Sequence, residues 1–151
     1  MELILIAAVA ENKVIGHHGK IPWYFSEDMK RLRELTLGNT IIVGRKTYDS
    51  LPLKFRPLPD RNNIVITRNE NYEADGIITA ISIQEALEMA KSLGKRNYVI
   101  GGADIYRQTI NLANKLEITE IKGNFKGDAF FPEIDNKIWK ESFRDKRVQY
   151  S

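Results

Sequence analysis

The chain has 151 residues, 42% of them hydrophobic and 28% charged, with a net charge of +3 and no cysteine. That size suits about one domain, able to bury roughly two-thirds of its unfolded surface in a single core. Disulfides, iron–sulfur clusters and thiol catalysis are excluded, no apolar run approaches the roughly 20 residues of a membrane span, and Glu2 before an apolar run is not the basic start of a signal peptide. The expected location is the cytoplasm. Lysine and arginine, 23 against 20 acids, are scattered, which points to a small acidic ligand and away from nucleic acid.

The first predicted strand is LILIAAV (3–9), followed by a loop through Gly16 that carries the adjacent pair His17 and His18. Two histidines are too few for a zinc site, so both read as exposed loop residues. A helix follows Ser26, a natural N-cap, and its apolar positions recur every three or four residues. Asp28 lies three residues after Phe25, four before Leu32 and seven before Leu35, so it shares the apolar stripe. Glu27 reads as support for the helix start.

TIIVG (40–44) predicts the next strand, with a helix after Gly44. The proline-rich LPLKFRPLPDR (51–61) reads as a stiff surface loop, and NIVIT (63–67) and GIIT (76–79) as strands. SIQEALEMAKSLG is the clearest helix, with Ser82 as cap, Glu85 three residues on and Gly94 at its end. NYVI (97–100), a helix after Gly102, KLEITEIK (115–122) and a strand around 138–144 complete the reading. Several strands are nearly continuous apolar runs, as expected when both faces of a sheet are covered. Strand–helix alternation predicts one α/β domain over residues 1–151. It has a largely parallel twisted sheet, helices on both faces and an antiparallel C-terminal strand region.

Ligands of such sheets bind at the carboxyl ends of strands. Two loops there place glycine before a helix, VGRKTY through Gly44, Arg45, Lys46 and Thr47, and IGGADIY through Gly101, Gly102, Ala103, Asp104, Ile105 and Tyr106. Glycine admits a phosphate to the backbone and a helix start offers free N–H groups, although a glycine after a strand is as often an ordinary turn. Arg45, Lys46 and Arg68, just past Thr67, supply cations, and Arg68 would suit a third phosphate; solvated surface charge is the alternative. No G-x-G-x-x-G follows the first strand, so a dinucleotide would be held in another way.

The ordered set IAAVAENKVIG, IPW, Asp28, GRKTY, SLP, RPLP, RNNIVITR, YVIGGADIY, LEITEI and GDAFFP resembles dihydrofolate reductase over residues 3–143. The resemblance implies NADPH-dependent reduction of 7,8-dihydrofolate to 5,6,7,8-tetrahydrofolate in one-carbon metabolism, with a hydride passing from nicotinamide to pteridine C6 and a proton to N5. It implies a monomer that also takes antifolate inhibitors, with no metal. Asp28 would anchor the pteridine through two parallel hydrogen bonds and, raised in pKa by partial burial, promote protonation. Thr119 would hydrogen-bond that acid or its water, and Trp23 and Tyr106 would complete the catalytic set.

By the same resemblance Ile6, Ala8, Met29, Leu32, Leu51 and Leu58 wall the substrate pocket. The carbonyls of Ile6 and Ile100 meet the pteridine amino group, and Arg61 pairs with the α-carboxylate of the glutamate tail. The cofactor set is Ala8, Ile15, Gly16, Trp23, Gly44, Arg45, Lys46, Thr47, Thr67, Arg68, Gly101, Gly102, Ala103, Asp104, Ile105 and Tyr106, with a cis peptide between the paired glycines. Asp128 would steady a closed state of the loop around Gly16 to Trp23. Leu32, Ile21 and Asp104 replace residues more usual in the family, Asp104 standing where some members carry a base. The sequence ends at Ser151, so the last antiparallel strand is expected to be short or missing. A pyrimidine reductase of riboflavin synthesis, and a binding module on an inactive reductase scaffold, are the competing readings.

Overall fold

The structure is a computed structural model; it describes residues 1–19 and 26–144, and for residues 26–29 the backbone alone. Among the described residues eight strands and four α-helices follow one another as β1 (Leu3–Ala10), β2 (Val14–Gly16), α1 (Ser26–Thr36), β3 (Thr40–Gly44), α2 (Arg45–Asp49), β4 (Asn62–Ile66), β5 (Ile77–Ala80), α3 (Ile83–Leu93), β6 (Asn97–Gly101), α4 (Ala103–Thr109), β7 (Lys115–Ile121) and β8 (Ala129–Phe130), with a 3₁₀ turn at Leu53–Phe55. The six longer strands form one sheet in the order β5-β4-β3-β6-β1-β7. Every pairing in it is parallel.

Period-two alternation divides the core between the two faces. Leu3, Leu5, Ala7 and Val9 of β1, with Ile42, Ile64 and Val99, pack beneath Ile83, Ala86 and Ala90 of α3 and Ile105, Tyr106 and Ile110 at α4. Their neighbours Ile4, Ile6 and Tyr98 pack under Leu32 and Leu35 of α1. Ile41, Val43 and Val65 pack under Tyr48 of α2 and Leu58. Leu5, Ile41, Ile42, Ile64 and Val99 are wholly buried, each stabilising the fold by about 1.5–3 kcal/mol. The continuous apolar lettering of these strands therefore reflects two covered faces.

Local chemistry ends the elements where the sequence indicates. Ser82 Oγ accepts from Glu85 N at 3.1 Å, and Gly94 closes α3 in the left-handed conformation at φ 68°. α1 stops at Thr36 and β3 starts at Thr40, so the helix runs antiparallel to the strands and its first turn stands at their carboxyl edge.

Three expectations change. β2 and β8 form a small separate antiparallel pair, too short for alternation to be legible. The tail around 138–144 is no strand: Asp135 holds a turn through its carbonyl to Ile138 N and Trp139 N and its side chain to Lys137 N, and the following residues are mostly charged. The 51–61 loop is also not purely a surface feature, since Leu58 is buried and doubly hydrogen-bonded to the Asn63 side chain at 3.0 Å. The calls on residues 20–25 and 145–151, among them Trp23, lie outside the described residues.

Candidate active site

The substrate-side residues gather on the α1 face at the carboxyl half of the sheet. Ala8 and Thr119 are partners in register, as are Ile6 and Glu117, so each pair shares a face. Ile6 is buried, while Ala8, Leu32, Leu51, Ile100 and Thr119 are half-buried, Leu32 and Ile100 packing against it and Leu51 against the neighbouring cluster of Ile41, Val43 and Leu58. Ile100 touches both apolar clusters of that face. Half-exposed apolar side chains over a buried floor are what an apolar cleft requires. Asp28 occupies the first turn of α1 at this edge, although its side chain and that of Met29 lie outside the described residues.

Arg61 stands at the other end of α1. Its Nε donates to Thr36 Oγ1 at 2.8 Å, Nη2 to the Arg33 carbonyl at 2.7 Å and Nη1 to the Pro59 carbonyl. Three of its five N–H groups are thus spent on orienting the guanidinium, and two remain for a ligand. Burial pulls its pKa down, with Asp60 opposing and Arg33 reinforcing, so an anion beside it would be favoured. Eight residues separate Asp28 from Thr36, about 12 Å of helix.

The two glycine loops pack against each other. A Cβ on Gly102 would fall 2.7 Å from Thr47 Oγ1, and one on Gly44 would fall 3.2 Å from Ile105 Cγ1. Gly101 has φ 134°, a region that favours glycine, and the Gly101–Gly102 peptide is cis, the geometry implied by the resemblance. The β3–β6 register shifts so that Val43 pairs with Gly101, leaving Ile100 in a bulge. Tyr106, buried on α4, donates its hydroxyl to the Ile6 carbonyl at 2.7 Å and so ties the loop to β1. That carbonyl, expected to meet the pteridine, retains a second lone pair.

The basic residues differ in freedom. Arg45 is paired with Asp49 at 3.1 Å, and Asp49 also accepts the Tyr72 hydroxyl at 2.6 Å. Burial and then the Asp49 contact push Tyr72 up to about 12, so it remains a donor at ordinary pH. Lys46 and Arg68 are exposed and form no ion pair among the described residues. Asp104, the acid at the start of α4, is occupied by Arg107 at 3.1 Å and Gln108 at 2.9 Å, which tempers its charge. Thr67 is buried and caps the turn at Asn69 N; Ala103 is half-buried, and Ile105 is buried. Ile15 packs on the core, and the Gly16 carbonyl accepts from Asp128 N at 3.0 Å.

Sequence reasoning missed Glu117. It faces α1 from β7, bonded to Arg31 and, at 2.9 Å, to Lys115. Burial pushes its pKa up, but the hydrogen bonds and charges of Lys115 and Arg31 outweigh this and hold it below the usual carboxylate value. A depressed folded-state pKa contributes stability above the unfolded value, which is lost as pH falls through the folded one. Glu117→Gln should therefore cost about 1–2 kcal/mol at pH 7, with the gap to wild type narrowing as pH falls below the ordinary glutamate value of 4.5. Urea titrations at pH 7 and pH 3.5 check this, and a gap independent of pH would refute the ion-pair account.

A parallel α/β sheet with half-buried apolar side chains on the face of its first helix, and two glycine loops packed together at the carboxyl edge, is an arrangement shared by nucleotide-using α/β enzymes. The comparisons with known proteins narrow the class. The family profile described as dihydrofolate reductase matches residues 2–150. The dihydrofolate reductase of Neisseria meningitidis serogroup A is 46% identical over 147 residues, covering 97% of this chain and 89% of that protein. That of Mycobacterium tuberculosis is 40% identical over 139 residues, covering 90% and 83%. A solved dihydrofolate reductase from Enterococcus faecalis, complexed with NADP(H) and RAB-propyl, superimposes with a TM-score of 0.83 at 38% identity, over 90% of this chain and 80% of that one. This chain belongs to the dihydrofolate reductase family.

Proposed function

We propose that the chain reduces 7,8-dihydrofolate to 5,6,7,8-tetrahydrofolate with NADPH at the cleft between α1 and the two glycine loops. The observation that carries this reading is the arrangement along α1. An acid sits in its first turn at the carboxyl edge, and Arg61 is locked onto its last turn about 12 Å away. A flat ring anchored at one end and a carboxylate held at the other is the shape of an extended folate.

The donor set fits the cofactor. The starts of α2 and α4, with Lys46, Arg68 and the partly neutralised Arg45, make an anion-complementary rim, and Thr47 and Thr67 add hydroxyls. When bound, NADPH supplies the hydride for pteridine C6. Asp28 holds the ring edge and draws a proton toward N5 through water, with Thr119 at its side. Ile6, Leu32, Leu51, Leu58 and Ile100 exclude other water, so charges within the cleft interact more strongly. Arg61 takes the α-carboxylate by its two remaining N–H groups. Tyr106 positions the β1 carbonyl against which the ring lies. The chain acts as a cytoplasmic monomer, and flat antifolates compete for the Asp28 end of the cleft.

Steady loss of NADPH absorbance at 1:1 stoichiometry with added dihydrofolate is the expected result. The same assay with a ribosylaminopyrimidine should give no turnover. Preference for the pyrimidine, or binding of both ligands without turnover, would overturn the assignment in favour of a pyrimidine reductase or an inactive binding scaffold.

A further inference from the structure

The two histidines that read as loop residues do not stand apart. His17 and His18 follow β2 directly, and Asp128 immediately precedes β8. A Cβ on Gly127 would fall 2.3 Å from Val14 Cγ1 and 2.6 Å from the Gly16 carbonyl oxygen, so the two segments touch there. Asp128 N donates to Gly16 O at 3.0 Å, and His18 N donates to both Asp128 carboxylate oxygens at 3.2 and 3.1 Å. His18 has φ 49°, a left-handed turn that brings its ring back to lie 3.9 Å, centroid to centroid, from that of His17.

One ligand atom from each of His17, His18 and Asp128 lies within 4.8 Å of the others. Independently of that distance, His17 Nδ1 is shielded from solvent and has no hydrogen-bond partner among the described residues. A shielded ring nitrogen without a partner has lost hydration with nothing in return.

We propose that His17, His18 and Asp128 form a site for one zinc ion that pins β2 to the segment entering β8. Zinc takes imidazole nitrogen and carboxylate oxygen at about 2.0–2.2 Å in a tetrahedron, so its ligand atoms stand about 3.3–3.6 Å apart. Closing the present cluster, whose ligand atoms lie within 4.8 Å of one another, to that span requires a shift of up to about 1.3 Å, within reach of torsions in the exposed His18 and Asp128 side chains. The carboxylate has about four acceptor sites, two of them used by His18 N, so two remain and one can take the metal. Water completes the fourth position. Magnesium and calcium prefer all-oxygen shells, so the imidazoles select against them. Bound metal would link two chain segments that otherwise meet through backbone hydrogen bonds, the His18 N–Asp128 carboxylate contacts and the Gly127 contact. The site is independent of the reductase reading.

Isothermal titration of zinc into the EDTA-treated full chain tests the proposal. One zinc per chain is expected, magnesium should give no binding heat, and His17→Ala, His18→Ala and Asp128→Asn should each weaken the affinity at least about tenfold. Zinc should also slow amide hydrogen exchange at Gly16 to His18 and at Asp128 in the wild type. Circular dichroism without zinc confirms that each variant is folded, and His17→Gln replaces the alanine variant if that one is not. No stoichiometric uptake, or uptake that all the variants retain, would overturn the site; uptake without slowed exchange would overturn the pinning.

Discussion

Asp28→Asn should lower kcat/KM for dihydrofolate at pH 7 by about 10²–10⁴-fold, the range typical of a lost acid–base function. Asparagine keeps the shape of the side chain but loses its charge and one of the two accepting oxygens that would align the ring. Other carboxylates near the cleft already have partners. Glu117 is held by Arg31 and Lys115, Asp49 by Arg45 and Tyr72, and Asp104 by Arg107 and Gln108. None of these is placed to substitute for Asp28. The deficit should narrow as pH falls, because solvent protons then replace those the carboxylate recruits. NADPH affinity, read by fluorescence titration, should be unchanged. A variant with full turnover at pH 7 would remove Asp28 from the mechanism.

Gly102→Ala should both destabilise the fold by about 1–3 kcal/mol and weaken NADPH binding. The new methyl would stand 2.7 Å from Thr47 Oγ1, so the Thr47 side chain has to rotate or the β6–α4 loop and α2 have to part, and these are the two helix starts assigned to the cofactor. The backbone conformation of Gly102, φ −88°, is open to alanine, which isolates the steric cause. Thr47→Ala in the same chain should recover part of the lost stability, a coupling between neighbours that a double-mutant cycle measures. Gly94→Ala is the contrast: its φ of 68° is costly for alanine, about 1 kcal/mol, but its Cβ would meet nothing and the cofactor should bind as before. Equal loss of NADPH affinity in both variants would show that general instability, and not the loop contact, governs binding.

The parts of the fold legible in the sequence are those with local causes. Ser82, Glu85 and Gly94 delimit α3 because capping is decided within a turn of chain, and the central strands β1, β3, β4 and β6 are legible because both their faces are apolar. β2 and β8 are not, since two- and three-residue strands carry no period and exist only because residues over a hundred positions apart meet. The tail illustrates the reverse. Its residues 138–144 were expected to pair, yet Asp135 turns the chain, and Arg144 returns to clasp Glu120 of β7 at 3.0 and 3.1 Å.

At the site, the types and order of residues follow from the chain itself: Gly44, Thr47, Gly101, Gly102 and Tyr106 stand in the loops where the strand ends predict a phosphate ligand. What only the tertiary structure decided is which of their groups remain available. Arg45 is half committed to Asp49, Asp104 is screened by its own helix, and Arg61 has two N–H groups left after three are used. Glu117 enters the α1 face through its pairing with Arg31, and His17, His18 and Asp128 gather at the β2–β8 turn. Sequence determines which chemical groups the chain owns and which local turns they prefer. The free capacity of each group depends on long-range neighbours, and those are set when the sheet and its helices pack.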